Sequence, residues 1–210
     1  CINIFALLGW HTADNRKIFS MDELVKEFSL ERVSKSGAKF DIEKAIWFNQ
    51  QYLRAKSNDL IAAELQSEVN ANFGEQEPNY LALVCGMMKE KVSFANEIIK
   101  KGNFFFELPK EYDEKASRKK WKEHIPTLIS DFGKTIESGE SWSSTDFDEQ
   151  FHAFAEQNEL SPGSLMQPLR LAVSGQAGGP PIFEMLALMG NERVSKRIAH
   201  SVETLAQKSA

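Results

Sequence analysis

Apolar positions recur at three- and four-residue steps along nearly the whole chain, the spacing of helices that bury one face. In "SMDELVKEF", Ser20 followed by Glu23 reads as a capping box, with Leu24, Val25 and Phe28 as the apolar stripe behind it. "DIEKAIWFNQQYLR" starts on Asp41 and carries Ile42, Ile46 and Leu53; "SNDLIAAELQSEVNANF" starts at Asn58 or Asp59 and carries Leu60, Ile61, Leu65 and Val69. "NYLALVCGMMKEKVSFANEIIK" predicts one long helix, interrupted or finished near Gly102. "KGNFFFELP" reads either as a short buried strand or as a hydrophobic loop. Pro126 predicts a kink or break within "SRKKWKEHIPTLISDFGKTIES". "SSTDFDEQFHAFAEQN" caps at Ser144 or Thr145, with Phe147, Phe151 and Phe154 on one face. The last third runs through "SPGSLMQPLRLAVSG", a Gly/Pro loop, then "PIFEMLALMGNERVSKRIAHSVETLAQ". There Pro180 or Pro181 fits a first-turn position and Gly190 a C-cap between two helices. No strand pairing and no repeat is evident, so the expected fold class is all-α.

Composition narrows the class without naming it. With 210 residues the chain is long enough for one large or two small domains. Hydrophobic content of 42% and charged content of 26% are ordinary for a globular protein. No apolar run approaches the roughly 18 residues that span a bilayer, and "CINIFALLGW" is too short and lacks the basic start of a signal peptide. A first residue of Cys rather than Met reads as a fragment of a longer chain. Cys1 and Cys85 form no CxxC pair and the four histidines are scattered, so no metal site is expected, and a reducing cytoplasm fits.

The net charge of −5 argues against a generic polyanion binder. The charge is uneven, however: residues 1–60 carry nine Lys/Arg against eight Asp/Glu, whereas residues 61–150 carry eleven against seventeen. Phosphate contacts need local cations rather than a basic total.

Four local features compete for function. "VSKS", residues 33–36, resembles the lysine loop that steadies ATP phosphates in class I aminoacyl-tRNA synthetases. Such a loop belongs beside a nucleotide-binding sheet, and no strand–helix alternation surrounds it here. The plain reading is a helix-ending loop with Ser34 and Ser36 bonding backbone and Lys35 in solvent; a third is that Lys35 and Lys39 meet nucleic-acid phosphates. "GQAGGPPIFE" lacks a GK[ST] and is a plain turn or an anion-docking run of N–H groups before a helix. Arg118, Lys119, Lys120 and Lys122 surround Trp121, which suits an RNA backbone and a stacked base, or a solvated helix face. Arg193 and Arg197 read as capping or solvating their helix. No Ser/His/Asp or Cys/His set can be assembled, so no catalytic residue is expected.

Two long stretches go further. "FALLGWHTADNRKIFSMDELVKEFSLERVSKSGAKFDIEKAIWFNQQYLR" resembles the segment that follows the catalytic domain in bacterial glutamyl-tRNA synthetases. "LRLAVSGQAGGPPIFEMLALMGNERVSKRI" resembles that family's C-terminal signature. The likeness runs in the same order over the whole chain and is looser over about 60–160. It implies a helical stem-contact segment over 1–58, then an anticodon-binding domain in two helical bundles, 59–138 and 139–210. It places the family's own ATP lysine loop upstream of "ALLGW", so VSKS belongs to the stem-contact region.

The function so implied is the tRNA-binding C-terminal part of a ligase that joins glutamate to tRNA-Glu. ATP and Mg would serve the full enzyme and none of them this chain, which would be inactive alone. The expected partners are tRNA-Glu and the catalytic domain in cis, with neither membrane nor DNA, in the cytoplasm.

In the family an arginine on the long middle helix reads the third anticodon base, and Lys91 matches its position. Lysine lacks arginine's planar fork, which leaves discrimination between glutamate and glutamine tRNAs open. Gly179 matches a residue that lends backbone to the anticodon, and Pro180 and Ile182 match residues that pack against bases. Lys35, Lys39 and Arg54, with Arg118, Lys119 and Lys120, are the expected contacts to the tRNA backbone. Phe183, Leu186 and Met189 are expected in the core, and Trp10, Phe40 and Trp47 in stem-contact packing. The competing function is a helical protein-interaction module without RNA reading.

Overall fold

The computed structural model describes residues 2–14, 16–35, 39–122, 124–137 and 141–207. The described residues form twelve α-helices: α1 Ile2–Gly9, α2 Met21–Glu27, α3 Ile42–Ala55, α4 Asn58–Phe73, α5 Pro78–Met88, α6 Asn96–Lys101, α7 Glu114–Lys120, α8 Ile125–Glu137, α9 Ser144–Gln157, α10 Pro162–Ser174, α11 Ile182–Met189 and α12 Asn191–Gln207. Among them there is no strand, only an isolated bridge between Trp10 and Val33. No described helix is long and apolar enough to cross a membrane.

Local chemistry explains most boundaries. Ser20 and Glu23 exchange both bonds of a capping box at α2. Asp41 accepts from the Glu43 and Lys44 amides at α3, and Ser57 caps α4. The α9 cap is Ser143, paired with Asp146, one residue before the expected Ser144. The break expected at Pro126 is present: α7 ends at Lys120 and α8 starts at Ile125, with Pro126 in its first turn, where its missing N–H is no loss. Gly190 closes α11 at φ 80° and turns the chain into α12.

The long helix expected over 79–100 is not continuous. α5 ends at Met88, a single 3-10 turn spans Lys89–Lys91, and α6 begins at Asn96. Val92 is extended, and the Glu97 carboxylate takes the Ser93 and Phe94 amides that a continuing helix would direct to backbone carbonyls. "KGNFFFELP" resolves as a loop around a 3-10 turn, Asn103–Phe105, with Phe104 and Phe105 fully buried.

One core runs from Leu53 to Leu205 without interruption. α8, from the first expected bundle, lies along α12 of the second, and α11 packs on α5 as well as α9. A small separate cluster holds Trp10, Phe19 and Leu24 near the N-terminus. It joins the main body where α3 packs on the Lys89–Lys91 turn.

Candidate nucleic-acid interface

Lys91 ends the 3-10 turn after α5, exposed, and its ammonium group makes no hydrogen bond or ion pair among the described residues. It does not sit on a long helix as expected, but on a tight turn that packs on α3 and α5. Both sides of the turn are held. The Lys89 ammonium donates to the Lys56 carbonyl at 3.1 Å. On the far side, the Glu97 carboxylate accepts from the Ser93 and Phe94 amides at 2.8 and 3.2 Å, bonds that hold its carboxyl below the usual range.

Arg54, expected on the tRNA backbone, is committed elsewhere. Its Nε lies 2.8 Å from Glu90 Oε2, and its Nη2 donates to the Glu90 carbonyl at 3.3 Å. Its guanidinium is thus engaged with Glu90, beside Lys91.

The second strip is the loop between α10 and α11. Gly175 ends α10 in the left-handed conformation, φ 71°, and a Cβ there would stand 2.4 Å from the Glu111 carbonyl. Its own carbonyl accepts from the Asp113 amide at 2.8 Å, and Gln176 Nε2 donates to the Lys101 carbonyl at 2.9 Å. So fastened, the loop leaves Gly178, Gly179 and Pro181 exposed, and no side chain caps α11. Beside it runs a groove of about 680 Å³ whose wall includes Lys100, Asn103, Lys110, Gln176 and Gly178.

The expectation that Pro180 and Ile182 present apolar faces to bases is corrected. Pro180 is buried and Ile182 is 5% exposed. Ile182 begins the buried stripe of α11, followed by Met185, Leu186 and Met189, so its phase points it into the core. Phe183, expected in that core, packs against its edge.

A residue that sequence reasoning passed over stands next to Gly179. A Cβ on Gly179 would lie 3.1 Å from Arg170 Nη1, and that buried nitrogen has no hydrogen-bond partner. Desolvation lowers the Arg170 pKa, with no carboxylate to offset it. A guanidinium held this way, under exposed glycine backbone, is short of an acceptor. The signal was present: Arg170 is the one charge in the apolar run "PLRLAV".

The remaining backbone candidates are scattered. Lys35 is exposed, and Ser36 lies outside the described residues. The amide of Ser34 donates to Gly9 at 2.6 Å, which ties the VSKS segment back to α1. Lys39 lines a concavity of about 250 Å³ with Arg16, Lys17, Lys44 and Trp47, and Lys17 sits 5.2 Å over the Trp47 ring. Of the aromatic residues expected in packing there, Trp10 is buried while Phe40 is exposed. On α7, Arg118 pairs with Glu114 at 3.3 Å, Lys119 is exposed and Lys120 half-buried. Trp121 is buried, so no ring is offered for stacking there.

The all-helical chain as a whole is similar to known proteins. The chain belongs to the anticodon binding domain family, which matches residues 50–202. It corresponds to the C-terminal part of glutamate–tRNA ligases. It is 34% identical over 217 residues to the glutamate–tRNA ligase of Chlorobaculum parvum, covering 98% of this chain and 43% of that protein. It is 38% identical over 205 residues to that of Bacteroides thetaiotaomicron, covering 97% and 40%. The crystal structure of a glutamate tRNA ligase from Elizabethkingia meningosepticum, in complex with its amino acid, superposes with a TM-score of 0.88 at 40% identity. That match covers 97% of this chain and 40% of the solved one. The chain thus spans about 40% of the length of the relatives it matches.

Proposed function

We propose that this chain grips tRNA-Glu by its anticodon as part of a glutamate–tRNA ligase in the cytoplasm. Ligation, with ATP, Mg and glutamate, belongs to the remaining length of the protein. The observation that carries this reading is that the matched family segment, residues 50–202, contains both the Lys91 turn and the loop over Arg170. Exposed backbone at Gly179 offers hydrogen bonds to base edges, Lys91 and Arg170 offer charge, and Pro180 and Ile182 support the loop from below. Lys35, Lys39 and the α7 cations would add sequence-independent phosphate contacts.

The test is a titration of tRNA-Glu and of transcripts with altered anticodons at several salt concentrations. Affinity should fall steeply with salt, and Lys91→Ala should reduce preference for the correct third base by roughly fivefold. Equal affinity for every anticodon would reject the reading and favour a protein-interaction module.

A further inference from the structure

Arg54 and Glu90 form a contact that stability hardly needs. The pair is partly exposed, 34% and 54% for the two side chains, and such pairs add little to folding. Yet the contacts from α3 converge on one short stretch. Arg54 reaches the carboxylate and the carbonyl of Glu90, the Lys56 carbonyl takes the Lys89 ammonium, and Asn49 donates to the Ser93 carbonyl. Lys91 is the residue of this stretch left with an unclaimed charge.

We infer that Arg54 and Glu90 are positioning residues for the anticodon, a clasp that aims Lys91. The inference rests on the proposed reading role of Lys91. Two physical effects support it. The first is geometric: a 3-10 turn without a side-chain cap holds its direction through outside contacts, and Arg54 supplies two of them. The second is electrostatic. Glu90 adjoins Lys91, and a carboxylate freed from Arg54 would compete for the lysine and repel the RNA. The Arg54 Nε–H is buried and not aligned on the Glu90 oxygen, so the guanidinium is held by charge and shape rather than by an ideal hydrogen bond. The reading turn would therefore be assembled from both parts of the chain, α3 behind and α5 below.

The experiment measures binding of the full-length protein to tRNA-Glu and to a transcript changed only at the third anticodon base, across a salt series. Arg54→Ala should lose about fivefold in discrimination with an unchanged salt slope, and Arg54→Lys should recover part of it. Glu90→Gln should give a smaller loss in the same direction, and its near-isosteric side chain guards against a folding artefact. Arg54→Ala with Lys91→Ala should lose no more than Lys91→Ala alone, the non-additivity of groups acting as a unit. An equal loss on both transcripts, with the salt slope reduced by about 1, would make Arg54 a phosphate contact and overturn the clasp. Discrimination that falls in Lys91→Ala but survives Arg54→Ala would overturn the clasp alone. Discrimination that survives Lys91→Ala would remove the reading beneath it.

Discussion

Arg170 shows how a single side chain can be costly to the fold and, on the proposed reading, useful to tRNA binding. A buried donor without a partner costs about 1–3 kcal/mol, and Arg170 Nη1 is such a donor. Arg170→Met should therefore leave thermal stability unchanged or raise it, while weakening tRNA binding several-fold; melting and a tRNA titration read the two effects separately. A drop in stability would mean that the guanidinium is satisfied in solution. At this scale the sequence was only partly legible. Lys91 and Gly179, the residues proposed to meet the anticodon, were named from motifs, which carry positions. Motifs do not carry orientation, so Ile182 was placed facing bases when its helical phase turns it inward. Arg54 was expected on the tRNA backbone, and its pairing with Glu90 was not legible because the partner lies 36 residues away.

Among elements, the segment between α6 and α7 shapes the groove. It is an irregular stretch with buried carbonyls, and α12 pays for that burial. Arg197, 4% exposed, donates from Nε and Nη2 to the Phe104 carbonyl at 3.0 and 2.8 Å, and from Nη2 to Glu107 at 3.0 Å. Tyr80 donates to Phe105 at 2.9 Å and His200 Nε2 to Pro109 at 3.0 Å. Arg197→Ala strands two carbonyls and should destabilise the domain by roughly 2–4 kcal/mol, read from a denaturant midpoint. A loss under about 0.5 kcal/mol, the range of ordinary surface changes, would contradict this role. The sequence showed Arg197 on a helix but not what it faced, since its partners are some ninety residues distant. Helix boundaries were legible because caps are local, as at Ser20, Asp41 and Gly190. The break at 92–95 was not, because neither proline nor glycine marks it; an extended Val92 and the Glu97 carboxylate bonded to the Ser93 and Phe94 amides do. Apolar stripes near the N-terminus also misled: Val25 and Ile42 repeat at helical spacing but are 74% and 67% exposed. Periodicity marks an apolar face, not what covers it.

At the level of the molecule, one core joins the two expected bundles, so the Lys91 turn and the Gly175–Pro181 loop share a continuous support. α5 leads into the turn, α11 follows the loop, and the two helices pack together. The N-terminal segment meets that body at the same turn through α3. The architecture thus ties the N-terminal segment to the helical body at the residue proposed to read a base. The overall class was legible because helical periodicity dominates nearly every segment; the single core was not, because the α8–α12 contact depends on long-range packing. Nuclease footprinting of tRNA-Glu bound to this chain tests the central claim most directly. Protection of the three anticodon nucleotides, with the acceptor end still cleaved, is the predicted result. An anticodon loop as open to cleavage in the complex as in free tRNA would contradict it.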